Sequence, residues 1–134
     1  MERVIKSQIV PYMDFHLSEF VSAYRKHYSS QHVLIRLLEE WRQNLDQNFI
    51  VGAVLMDLSK AFDCIPHDLL IAKLHAYGFS KQSLTYIYSY LKGRKQRVKI
   101  GITESELLEL LSGVPQGSIL GPIIFNIFIK DLFM

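Results

Sequence analysis

Residues 49–66 read Phe49-Ile50-Val51-Gly52-Ala53-Val54-Leu55-Met56-Asp57-Leu58-Ser59-Lys60-Ala61-Phe62-Asp63-Cys64-Ile65-Pro66, and this stretch decides the fold. Its first eight residues are apolar and rich in β-branched types. They follow the polar Asp46-Gln47-Asn48. A short, unbroken apolar run of this kind predicts a strand covered on both faces. The run ends on Asp57, a carboxylate where sheets commonly build their sites. Two readings of Asp57 stand side by side: a hard oxygen ligand for Mg²⁺, or a cap for the next turn. Asp63 is read as a cap. Pro66 suits a helix start, and His67 to Tyr77 then places Leu69, Leu70, Leu74 and Tyr77 on one face, with Gly78 at the C′ position.

Working outward, residues 30–47 give the clearest helix. Val33, Leu34, Leu37, Leu38, Trp41 and Leu45 form one stripe, with Ser29 or Ser30 as cap and Glu39, Glu40, Arg42 and Gln43 on the wetter side. Residues 1–28 lack a clean period, and Pro11 is expected to break any long helix there. Ser80 caps a helix through Leu84, Ile87, Tyr88 and Leu91, stopped by Gly93. Val98, Ile100 and Ile102 alternate with Arg97, Lys99 and Gly101, which predicts a half-exposed strand, with residues 106–111 as its hairpin partner. Residues 113–118 form a loop by composition. Residues 118–133 read as a largely buried helix with Pro122 in its first turns. The fold class is α/β (α+β), and no repeat, linker or internal boundary interrupts it.

Composition bounds the function. Of 134 residues, 49% are hydrophobic and 21% charged, so wholesale disorder is excluded. The formal net charge is only +2, so any basic surface must come from local clustering. The one dense cluster is Lys92, Arg94, Lys95, Arg97 and Lys99, with no acid among them: a track for phosphates, or a solvated hairpin face. The single cysteine, Cys64, excludes a disulfide framework and reads as a buried, inert thiol. The five histidines lack metal-ligand spacing, and Tyr86, Tyr88 and Tyr90 read as helix packing. The glycines at 113, 117 and 121 make neither a phosphate-binding P-loop nor a nucleophile elbow. No signal peptide is visible, and the most apolar run, residues 119–129, is well short of the ~20 residues of a spanning helix. The expectation is an intracellular protein, nuclear or cytoplasmic, with no membrane partner.

Two stretches together carry a resemblance. Ala53 to Asp68 closely resembles motif A of reverse transcriptases, and Gly113-Val114-Pro115-Gln116-Gly117-Ser118-Ile119-Leu120-Gly121-Pro122 resembles their motif B. Tyr90 to Val98 looks like the intervening segment of non-LTR (LINE-type) retrotransposon enzymes. Ser18 to Lys26 looks like their fingers segment, with His27 where the family often has Gly. The resemblance implies a partial right-hand polymerase fold, fingers and part of the palm, over residues 15–134, with 1–14 as a poorly defined N-terminal segment. It implies that Asp57 is the catalytic carboxylate binding Mg²⁺, with the Leu58 carbonyl as a further ligand. Phe62 would be the steric gate under the incoming sugar. Gln116, Gly117, Arg25 and Lys26 would contact the nucleotide, and Lys92, Arg94, Lys95, Arg97 and Lys99 the nucleic acid. The implied partners are an RNA template, a DNA primer and dNTP.

The chain departs from the family in one respect. The aromatic-Ala-Asp-Asp hairpin of motif C should follow motif B, yet the sequence runs Lys130-Asp131-Leu132-Phe133-Met134 and holds no Asp-Asp pair. With Asp57 alone, two Mg²⁺ ions lack most of their carboxylate charge, so this polypeptide alone is expected to be inactive. The alternative is a non-catalytic nucleic-acid-binding or protein-interaction module derived from a retroelement.

Overall fold

A computed structural model describes residues 1–133; Met134, the last residue of the expected domain, lies outside them. Five α-helices and two short β-ladders follow in order: α1 (Glu2–His16), α2 (Ser30–Asp46), α3 (His67–Ala76), α4 (Lys81–Leu91), β1 (Lys95–Gln96), β2 (Lys99–Ile100), β3 (Thr103–Glu104), β4 (Leu108–Glu109) and α5 (Gly121–Ile129). A 3₁₀ turn, Lys130–Phe133, ends the chain. This mixed content agrees with the expected class.

The core lies where α3 packs on α4 and α5, with α1 against α5. Leu70 and Leu74 of α3, Leu91 of α4, and Ile124 and Ile127 of α5 are among its fully buried members. Helix α3 starts behind Pro66 and α4 behind Ser80, whose hydroxyl accepts from Ser83 N–H. Gly78 and Gly93 follow these helices in the left-handed region, at φ +85° and +71°, a conformation that costs glycine nothing. The predicted ends of both helices are therefore borne out.

Helix α1 corrects the expectation at Pro11, for it runs straight through that residue. The missing N–H forfeits one intrahelical bond, and an interior proline costs about 3 kcal/mol. Met13 is fully buried and Ile9 nearly so. Burying two such side chains contributes about 1.5–3 kcal/mol each, which outweighs the break. A second tie comes from Glu2. Its carboxylate accepts from Tyr90 Oη (2.5 Å) and from Ile119 N–H (2.8 Å), joining α1 to α4 and to the entrance of α5. These bonds hold the Glu2 carboxyl below its usual range, while burial first, and the Glu2 bond second, push the Tyr90 phenol up to about 12.

Three expectations about exposure are overturned. The run 49–56 forms no strand; Ile50, Val54, Leu55 and Met56 lie open to solvent. A strand is made by its ladder partner, and no other segment among the described residues pairs with it. Helix α2 forms as predicted, capped by Ser29, but none of its residues is buried and it packs on no other helix or strand. Arg36 ties it to the preceding segment, pairing with Glu19 (3.7 Å) and lying over the Phe20 ring. A hairpin forms, but not with the expected partner: Lys99–Ile100 pairs with Thr103–Glu104, while Leu108–Glu109 pairs with Lys95–Gln96, and Val98, Ile100 and Ile102 are all exposed rather than half-covered.

Replacing Leu74, wholly buried where α3 meets its neighbours, with Ala is expected to destabilise the chain by about 2–5 kcal/mol; chemical denaturation measures it. Glu2 also makes stability depend on pH. Its carboxyl titrates lower folded than unfolded, so its contribution is complete above about 4.5, the ordinary value, and is lost as pH falls through the folded value. Thermal melts from pH 7 to pH 3 are expected to converge for wild type and Glu2→Gln as acid is added. Curves that stay parallel across that range would contradict the latch.

Candidate functional site: the junction of residues 57–65 with 112–118

Residues 57–65 leave the extended segment and turn back through Lys60. Its φ of +51° puts a non-glycine residue in the left-handed region, and its carbonyl accepts from both Asp63 N–H and Cys64 N–H (2.9 and 3.1 Å). Residues 112–114 dock onto that turn. Gly113 N–H donates to the Ile65 carbonyl and Val114 N–H to the Phe62 carbonyl, both at 2.9 Å. Ser112 Oγ donates to the Asp63 carbonyl at 2.8 Å. Gly113 sits at φ +81°, and a Cβ there would fall 2.7 Å from Asp63 Cα, so only glycine fits without moving the turn. His67, buried, donates from Nε2 to the Gly113 carbonyl at 2.8 Å.

The predicted residues fall into separate groups. Asp57 and Leu58 are exposed on the unpaired segment, and Asp57 has no hydrogen-bond or ion-pair partner among the described residues. Phe62 turns inward, its ring 4.6 Å from Phe125 and edge-on to Tyr24 at 6.0 Å. Gln116 and Gly117 are exposed on the loop beyond Val114. The Gln116 amide reaches back to the Asp63 carboxylate, at 2.9 and 3.1 Å. Asp63 thus caps nothing, and its role in holding Gln116 was not foreseen. Cys64 is exposed, not buried as expected, because the turn points it to solvent.

Arg25 and Lys26 line a second region, a cleft of about 410 Å³ shared with Lys6, Asp14 and Asn126. Arg25 is well occupied: it pairs with Asp14 (3.3 Å), donates to the Ser18 and Val21 carbonyls and covers the Tyr28 ring. Asn126 is buried, and its amide N–H donates to the Ala23 carbonyl (2.7 Å). His27 sits at φ +67°, the geometry for which glycine is favoured.

The basic cluster is less free than its sequence suggests. Arg97 and Lys99 share Glu104 across the hairpin, at 2.5 and 3.0 Å. Lys95 stands opposite Glu109 in the β1–β4 register. Lys92 donates to the Tyr88 hydroxyl at 2.9 Å, and Arg94 is half-buried. The acids lie on the returning strand, where reading the cluster as a linear run does not see them.

No group of three His, Cys, Asp or Glu side chains able to hold a metal occurs among the described residues. No described helix is long and apolar enough to cross a membrane.

Comparison with known proteins gives the site its context. The family model for reverse transcriptase (RNA-dependent DNA polymerase) matches residues 1–134. The chain is 33% identical over 109 residues to a probable RNA-directed DNA polymerase from transposon BS of Drosophila melanogaster, covering 81% of this chain and 12% of that protein. It is 28% identical over 134 residues to the RNA-directed DNA polymerase from mobile element jockey of Drosophila funebris, covering 98% of this chain and 14% of that protein. A retrotransposable element R2 polyprotein of Popillia japonica is 28% identical over 81 residues, 60% of this chain and 13% of that protein. The chain thus spans between 12% and 14% of the length of these relatives. The two stretches that carry the expected resemblance are the two that the Gly113 junction binds together, and from end to end the chain belongs to the reverse transcriptase (RNA-dependent DNA polymerase) family.

Proposed function

We propose that this chain serves RNA-templated DNA synthesis as the fingers and part of the palm of a retrotransposon reverse transcriptase, acting within a longer polypeptide. The observation that carries the reading is the family match over the whole chain, together with the junction that brings the motif A turn against the motif B loop. Residues 15–134 make up that fingers-and-palm portion. Residues 1–14, which hold most of helix α1 (Glu2–His16), pack on it. Asp57 is its catalytic carboxylate, and Leu58 offers a backbone carbonyl beside it. Phe62 is the sugar gate, Gln116 and Gly117 meet the nucleotide, and Arg25 and Lys26 approach its phosphates. Lys92, Arg94, Lys95, Arg97 and Lys99 lie along the nucleic acid. The substrates are an RNA template, a DNA primer and dNTP.

The donor chemistry suits Mg²⁺ but the number of donors does not. A carboxylate and a carbonyl are hard oxygen ligands. A two-ion site for nucleotidyl transfer needs several carboxylates converging on ions about 3.5–4 Å apart. Asp57 stands alone, so these residues by themselves do not build that site and no metal-borne step belongs to them. What they supply is charge near the reacting phosphate, while the positioning on which phosphoryl transfer also depends falls to the Gly113 junction. Retention as a non-catalytic nucleic-acid-binding module is the competing reading, favoured by the cations of residues 92–99, of which Lys92, Lys95, Arg97 and Lys99 are exposed.

The coding sequence after codon 134 separates the two. An open frame that continues into an aromatic-Ala-Asp-Asp hairpin is expected, and a stop directly after it would favour the binding module. The 134-residue chain, given Mg²⁺, dNTPs and a primed RNA template, is expected to yield no appreciable extension. Extension that Asp57→Ala abolishes would show that its own donors suffice.

A further inference from the structure

Asp63 has no part in the reading above. Its carboxylate accepts from Gln116 Nε2 through both oxygens, at 2.9 and 3.1 Å, and from no other side chain among the described residues. Its backbone is held independently. The Asp63 carbonyl takes the Ser112 hydroxyl, and the Asp63 N–H donates to Lys60. The Cα is pressed against Gly113. The backbone that carries the carboxylate is therefore fixed by contacts that do not involve Gln116. An ionised carboxylate only accepts hydrogen bonds, so only the amino end of a glutamine amide can face it. A flipped Gln116 would set its carbonyl oxygen against a carboxylate oxygen, which is repulsive. Gln116 Oε1 is left outward, on an exposed side chain, with no partner among the described residues.

We propose that Asp63 is a positioning residue that fixes the polarity of the Gln116 amide, so that the motif B loop presents a hydrogen-bond acceptor. The ligand group that Gln116 receives is then a donor: a sugar hydroxyl or a base N–H of the nucleotide, and not a phosphate oxygen or a base carbonyl. The orientation stands on the geometry alone; the ligand class rests on the reading that Gln116 meets the nucleotide.

The test uses the full chain labelled with ¹⁵N in its glutamine side chains, with the Gln116 signal assigned by its loss in Gln116→Glu. Asparagine offers both a donor and an acceptor, so in Asp63→Asn the amide is free to turn and the Gln116 side-chain signal is expected to move. Asp63→Glu keeps the carboxylate and is expected to restore it. Melting temperatures of the three proteins report whether folding has changed. An RNA–DNA primer-template with dNTP is then titrated as the probe. Asp63→Asn is expected to weaken binding about tenfold or more, the scale of one lost hydrogen bond to a charged group, and Asp63→Glu to recover most of it. A Gln116 signal indifferent to Asp63→Asn overturns the inference. So does a signal that moves while affinity holds. If wild type binds no nucleotide or duplex while the signal still follows Asp63, the positioning role is supported and the polymerase reading of this chain fails separately.

Discussion

Two backbone hydrogen bonds, Gly113 N–H to the Ile65 carbonyl and Val114 N–H to the Phe62 carbonyl, hold together segments some fifty residues apart in sequence. The Gln116 side of the candidate site depends on them. They set the loop that carries Gln116 over the turn that carries Asp63, a turn whose Phe62 packs against Phe125. The junction tolerates no Cβ at residue 113. It also rests on buried ground. His67 satisfies the Gly113 carbonyl from the first turn of α3, and Val114 and Ile65 are core residues. A backbone-to-backbone junction over close-packed side chains is stiff, because both its donors and the volume beneath them are fixed.

The other half of the chemistry lacks this support. Asp57 sits on an extended segment whose apolar residues face water and whose backbone pairs with nothing among the described residues. With α2 and the hairpin, this segment exposes more apolar side chains than a self-contained domain normally leaves uncovered. A carboxylate on such a segment is placed only as well as the segment is. Preorganised positioning, the main resource of phosphoryl transfer, is therefore present around Gln116 and absent around Asp57.

How much was legible follows from which interactions are local. Ser29 and Ser80 caps, Pro66, Gly78, Gly93 and the Pro122 entry to α5 all act within a few residues of where they are read, and those element ends came out as expected. The run 49–56 shows where local reading stops. Its composition is that of a strand, but a strand exists only with a partner, and composition does not supply one. Pro11 shows the same limit from the other side: the local rule was outweighed by Met13 and Ile9, whose burial depends on α5. The helix α2 stripe was read correctly as a pattern, and its lack of cover was invisible for the same reason.

The site residues divide along this line too. Asp57, Phe62 and Gln116 were singled out because each lies inside a contiguous motif. Asp63 was misread because its partner is 53 positions away, and a carboxylate beside a turn looks locally like a cap. Glu2 was missed because its partners, Tyr90 and Ile119, lie 88 and 117 positions away. Both carboxylates act in the same manner. Each takes a donor from the segment that contains or follows the motif B loop and ties it to another element, Asp63 through a side chain and Glu2 through the backbone. The loop between them is thus anchored at Gln116 and at Ile119, with Gly117, at φ +78° and with open space where a Cβ would stand, as the free point between the anchors. The loop is thus tied on both sides of Gly117, and a residue without a Cβ at that point leaves the backbone itself open to close approach.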